Sequence, residues 1–260
     1  SPVYDSSPSL RLAPEHPFPT GLNDCYAALK WTAANAAELS GAPAKGFLIG
    51  GASAGAHYAA ILGQRPRDDL FFTSTELTGQ ILQIPAVVHT AAYPERFKAD
   101  LLSMEQSKDA PILNKADGEF FWSESAPSDP EASPLILLHE GLSPAYIQVA
   151  GFDPLRNEGL LYERLLRESG VKTKLDVYPG VPHGFHGLPL AASKKWEADF
   201  RAGLGWLLSD RSADGVWIQT SDRCWAVRGQ YLYSSIHACI DNAPTNLMKC
   251  NGLPGTQEPS

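Results

Sequence analysis

Three residues in this chain have the types and the surroundings for nucleophilic acyl chemistry: Ser53, Asp153 and His183. Ser53 lies in Gly51-Ala52-Ser53-Ala54-Gly55, after the apolar run Phe47-Leu48-Ile49 and before alanine-rich, helix-forming sequence. This is a G-x-S-x-G pattern, in which a serine sits on a tight strand-to-helix turn. Glycines two before and two after the serine let strand and helix approach and tolerate strained backbone angles. The serine then stands at a helix N-terminus, where N–H groups and the helix dipole favour developing negative charge. A nucleophilic serine needs a base within hydrogen-bond reach and an acid to orient that base. Asp153 follows the apolar run Ala145–Ala150 through a Gly-Phe turn, and His183 follows Thr173–Tyr178 through Pro-Gly-Val-Pro. Three polar residues leaving three parallel strands on the same side have the geometry this chemistry requires.

The other candidates have plainer explanations. His57 lies one helical turn after Ser53, on the helix itself, and reads as a packed or surface residue. His186 comes a full Gly-Phe after His183-Gly184-Phe185 begins, later in the same loop. His16, His89, His139 and His237 have no acid at a strand end to pair with, and Asp176 falls inside a strand. Glu158 opens a helix, where a carboxylate complements the dipole.

The elements that must carry these residues alternate. A helix is expected from a cap at Asn23 or Asp24 to about Ala37, a strand over Lys45–Gly50 and a helix over Ala54–Gly63. The run Thr78–His89 reads as a strand covered on both faces. Between Thr90 and Leu142 the signals are irregular, with short helical patterns at Phe97–Gln106 and Gly118–Ser123. An insertion of this kind suits a lid or cap, and its Phe97, Leu101, Met104, Phe120, Phe121 and Trp122 could line an apolar pocket or simply pack. Regular alternation then returns, with strands at Ala145–Ala150 and Thr173–Tyr178 and helices at Asn157–Ser169 and Ala191–Leu208. Short strand–helix spacing predicts an α/β fold, a mostly parallel sheet with helices on both faces. Residues 1–9 read as coil, residues 10–208 as the catalytic domain, and residues 209–260 as a tail outside the main core.

Composition narrows the function. The 260 residues suffice for one domain with a sizeable core, and a net charge of −8 argues against nucleic acid as a partner. No apolar run approaches the roughly 20 residues of a membrane span. The first nine residues carry no signal-like pattern and no initiator Met, so the N-terminus is expected to be processed or missing; the cytoplasm is the default compartment. Cys25 reads as a small buried apolar residue. Cys224, Cys239 and Cys250 lack C-x-x-C spacing, which argues against zinc and leaves one disulfide open.

Four motifs in order, Leu12-Ala-Pro-Glu-His-Pro-Phe-Pro19, Gly51-Ala-Ser-Ala-Gly55, Gly151-Phe-Asp-Pro-Leu-Arg156 and Pro182-His-Gly-Phe185, resemble the hormone-sensitive-lipase family of α/β-hydrolases. The resemblance runs from about Leu10 to Leu208. It implies Ser53 as nucleophile, Asp153 as acid, His183 as base and the Ala54 N–H as an oxyanion donor, acting on small carboxylic esters without metal or cofactor. The phrasing G-A-S-A-G-A-H and L-S-M-E-Q is similar to filamentous-fungal members, some of which act in secondary metabolism. Family members also carry a His-Gly-Gly-Gly segment before the L-A-P-E-H-P-F-P loop, and its N–H groups form most of the oxyanion hole. These residues contain none. Losing one such donor costs on the order of 10²–10³ in rate, so a catalytically impaired binding protein is the alternative reading. Strands expected ahead of Leu10 are likewise missing, which would leave the strand at Lys45 as a bare edge. Both ends look foreign to the middle, as a truncation or misassigned exon boundaries would produce.

Overall fold

Among the described residues, six parallel strands form one sheet, in the order β1-β6-β2-β3-β4-β5. The computed structural model describes residues 4–6, 8–123, 129–209 and 216–219. The strands are β1 (Tyr4–Ser6), β2 (Phe47–Ala52), β3 (Gly79–Gln83), β4 (Ala145–Phe152), β5 (Thr173–Pro182) and β6 (Val216–Gln219). The helices are α1 (Thr20–Ala34), α2 (Ala54–Leu62), α3 (Ser103–Gln106), α4 (Lys115–Ser123), α5 (Arg156–Glu168) and α6 (Ala191–Leu207). Among the described residues no helix is long and apolar enough to cross a membrane.

The central strands are buried along their length because helices cover both faces. Side chains alternate between those faces with the strand period of two. Phe47 and Ile49 of β2, with Ile147 and Val149 of β4, join one core with Leu22, Cys25 and Leu29 of α1, Ala56, Ala59 and Ala60 of α2, and Tyr162 and Leu166 of α5. Each large apolar side chain in such a core contributes roughly 1.5–3 kcal/mol by burial. The alanines of α2 let that helix lie between the sheet and α1. On the opposite face α6 comes so close to β4 that a Cβ on Gly203 would stand 2.2 Å from the Tyr146 ring. Cys25 is buried, as its helical setting predicts.

Several expectations are corrected here. Helix α1 begins at Thr20 behind Pro19, not behind Asn23 or Asp24, because both side chains are engaged elsewhere. Asp24 takes a two-pronged contact from the Arg11 guanidinium, at 2.7 and 3.0 Å, and Asn23 accepts from Arg65 at 3.0 Å. Strand β3 stops at Gln83, well short of His89, because Ile84 has φ +42° and Pro85 follows it. Tyr4–Ser6 is a strand where coil is expected. Val216–Gln219, in the stretch read as a tail, pairs between β1 and β2, so β2 is no bare edge. The remaining residues from 220 on, with Cys224, His237, Cys239 and Cys250, lie outside the described residues.

The segment between β3 and β4 is built of short helical turns, not one long element. Asn114 caps α4 by accepting from the Asp117 N–H at 3.0 Å. Met104 and Leu113 pack with Leu155 into a small cluster of their own. Trp122 lies buried, edge-on to the His57 ring at 5.2 Å and tilted against His89 at 5.2 Å, whereas Phe120 and Phe121 face solvent.

His57 fastens α2 to the loop that follows β3. Its Nδ1 donates to the Ala86 carbonyl at 2.9 Å, since a carbonyl can only accept. Burial lowers the imidazole from 6.5 to about 4, against the opposing pull of the Ala86 hydrogen bond. The folded pKa lies below the unfolded one, so the unfolded chain takes up the proton first. His57 therefore contributes fully above the unfolded value of 6.5, and the contribution is lost as pH falls toward about 4. The shift corresponds to at most about 3 kcal/mol. Thermal melts should show Tm falling across this window, and His57→Asn, whose amide can still reach Ala86, should flatten the slope. A slope unchanged in that variant would remove His57 as its source.

Candidate active site

Every strand in the sheet points the same way, so the carboxyl ends of β2, β4 and β5 open on one edge, where ligands bind in such sheets. Ser53 leaves β2 with φ +54° and ψ −117°, a conformation costing on the order of 1–3 kcal/mol for a residue with a side chain. Two backbone bonds hold it: Ser53 N–H donates to the Gln83 carbonyl at 2.8 Å, and His57 N–H donates to the Ser53 carbonyl at 3.0 Å. A Cβ on Gly51 would lie 2.4 Å from the Gly55 carbonyl carbon, so only glycine permits the turn. Ala54, exposed at the start of α2, has one of the first-turn N–H groups that a helix leaves without an internal acceptor.

Asp153 and His183 are brought opposite one another by an irregularity in the sheet. Ala150 pairs with Tyr178, but Phe152 pairs with Pro182, so β5 gains two residues on β4 across the bulge. A Cβ on Gly151 would stand 2.8 Å from the Pro179 Cα, which explains the glycine there. Beyond the bulge, His183 Nδ1 donates to Asp153 Oδ2 at 2.8 Å, and its Nε2 faces Ser53 Oγ at 2.9 Å. Asp153 is 1 % exposed, and its second oxygen accepts from the Leu155 N–H at 2.9 Å. With Nδ1 protonated toward Asp153, Nε2 is left as the acceptor for the serine hydroxyl proton. The arrangement can take a proton from Ser53 and later return it to a leaving group.

The loop bearing His183 is anchored by aromatic packing. Gly184 adopts φ +66°, and Phe185 is buried edge-on to Trp196 of α6 at 5.2 Å. His186 stacks flat on the same indole, with 4.9 Å between centroids and 7° between planes. Burial, helped by the nearby His183, holds its imidazole down to about 4. Its ring is thereby committed to packing on Trp196 of α6. His57 and His89 are buried structural residues, His139 donates to the Leu135 carbonyl at 3.1 Å, and His16 is exposed. Asp176 accepts the Tyr146 hydroxyl at 2.7 Å.

Glu158 is more than the dipole partner its position suggests. It is 1 % exposed, and its Oε1 accepts the Val87 N–H at 2.7 Å. No local pattern separates a buried helix-opening glutamate from an exposed one; the partner loop is some 71 residues away in sequence. The aromatic and apolar residues of the insertion also divide. Leu101, Met104 and Trp122 are buried, Phe97 is half-buried against the core, and Phe120 and Phe121 are exposed.

Comparison with known proteins agrees with this architecture. A family profile for the alpha/beta hydrolase fold matches residues 4–187. The chain is 37% identical over 205 residues to an AB hydrolase superfamily protein of Schizosaccharomyces pombe, covering 76% of this chain and 60% of that protein. It is 35% identical over 205 residues to the versiconal hemiacetal acetate esterase of Dothistroma septosporum, covering 76% of this chain and 62% of the esterase. Among solved structures, vibralactone cyclase superposes with a TM-score of 0.75 at 44% identity, over 78% of this chain and 61% of the cyclase. A bacterial heroin esterase superposes with a TM-score of 0.67 at 32% identity, over 77% and 63% of the two chains. The chain thus spans about three fifths of the relatives it matches. With the four ordered motifs, the parallel sheet and these likenesses together, the chain belongs to the hormone-sensitive-lipase family of α/β-hydrolases.

Proposed function

We propose that this protein hydrolyses carboxylic esters through a Ser53 acyl-enzyme. One observation carries the reading: Ser53 Oγ, the His183 ring and Asp153 Oδ2 form a continuous hydrogen-bonded line, at 2.9 and 2.8 Å, across three strand ends. His183 takes the Ser53 proton as Oγ attacks the ester carbonyl. The tetrahedral oxyanion then forms beside the start of α2, where the Ala54 N–H is the donor this stretch supplies. The protonated imidazole, stabilised by Asp153, gives its proton to the leaving alcohol. Water activated by the same histidine then frees the acid and restores Ser53. Transfer of the acyl group to another alcohol would use the same residues.

The substrates proposed are esters of small carboxylic acids. The likeness to an esterase whose name specifies an acetate supports that class, and the fungal phrasing around Ser53 supports a setting in fungal secondary metabolism. p-Nitrophenyl acetate and butyrate should be turned over by the wild-type chain. Ser53→Ala should lower kcat by about 10³-fold or more, and equal rates in that variant would remove Ser53 from the mechanism. Asp153→Asn keeps the shape but favours the wrong imidazole tautomer, so kcat should fall by about 10⁴-fold. Stopped-flow or steady-state assays that found Asp153→Asn fully active would show that Asp153 does not orient His183.

A further inference from the structure

The buried carboxyl of Glu158 is larger in cost than helix-dipole complementarity requires, because an exposed carboxylate would serve the dipole as well. Its partners lie on the loop that follows β3. Oε1 accepts the Val87 N–H at 2.7 Å, while Oε2 is buried without a hydrogen-bond partner. The same loop is held from the serine side. Gln83, at its start, accepts the Ser53 N–H, and Ala86 accepts from His57 of α2. Glu158 itself belongs to the unit that carries the acid. The Arg156 N–H donates to the Asp153 carbonyl at 3.1 Å, and Gly159 N–H donates to Leu155 at 3.1 Å. Gly159 brings this first turn of α5 against Pro85, where a Cβ would come within 3.5 Å of the proline ring. The loop after β3 is therefore a shared brace between the nucleophile and the acid.

We propose that Glu158 is a positioning residue for ester hydrolysis, tying the loop after β3 to the turn that carries Asp153 and so fixing the Asp153–His183 pair relative to Ser53. This rests on the ester-hydrolysis reading above. Two buried carboxyls whose charges repel do not both stay ionised cheaply. Asp153 has the His183 imidazole facing it; Glu158 accepts from the neutral Val87 N–H, and burial together with the Asp153 charge pushes its carboxyl well above the ordinary range. A neutral acid still accepts the Val87 N–H through its carbonyl oxygen, and a glutamine amide reproduces that acceptor. An aspartate is one methylene too short to reach it.

The test uses the full chain with p-nitrophenyl butyrate. Glu158→Asp and Glu158→Ala should lower kcat by about 10- to 100-fold while KM stays within about twofold, because misplacement of reacting groups and not ester binding is what changes. Glu158→Gln should restore kcat to within about threefold of wild type. A folded Glu158→Asp with wild-type kcat, or Gln and Asp variants that lose kcat equally, overturns the proposal. A wild-type chain without turnover would instead count against ester hydrolysis, and the positioning role is then read by proton NMR of the His183 Nδ1–H. That resonance should be sharp in wild type and Glu158→Gln and broadened in Glu158→Asp; equal sharpness in all three overturns it.

Discussion

The contact between Gly51 and the carbonyl of Gly55 is the constraint on which the edge of the sheet depends. With no side chain at Gly51, β2 and α2 meet closely enough for Ser53 to be driven to φ +54°. The strain persists because the surrounding bonds over-determine it: the Ser53 N–H is held by Gln83 of β3, and its carbonyl receives the first-turn N–H of His57. The same close approach requires α2 to be thin, which is why alanines occupy its buried face. Sheet core and the turn at Ser53 are thus parts of a single packing solution.

A second constraint acts at the other side of the site. A parallel sheet by itself would bring Asp153 opposite a residue two short of His183, and the bulge between β4 and β5 removes that mismatch. Gly151 permits the bulge, while Phe185 and His186, packed on Trp196, keep the loop from sliding back. The geometry of the Asp153–His183 pair is therefore secured by aromatic packing on α6, on the face of the sheet away from the main core. Buried histidines serve structure here. His57 and His89 bracket Trp122 and so fasten the insertion beside the sheet, His57 through Nδ1 to Ala86 and His89 through both ring nitrogens to Trp122 and Ala91.

Much of this was legible from residue types and spacing. Ser53 between paired glycines, Asp153 after Gly-Phe, and His183 after Pro-Gly-Val-Pro are all local signals, and strand–helix alternation is a local periodicity. Less visible were features whose partners lie far away in sequence. The α1 start was misplaced because Asp24 is drawn to Arg11 and Asn23 to Arg65. The Thr78–His89 run ends early because Ile84 turns to positive φ, which a β-branched residue does only under tertiary compulsion.

The sequence by itself determined the alternation of the central strands and helices, the order of the three polar turn residues and the family, since each is carried by local patterns. Only the tertiary structure decided that β6 enters the sheet beside β2, that Glu158 is buried against Val87, and that a two-residue bulge sets His183 against Asp153. Those outcomes depend on pairings between distant segments. A strand's hydrogen bonds are satisfied by whichever edge it meets, and a carboxyl's burial is set by what packs over it, so neither leaves a local trace.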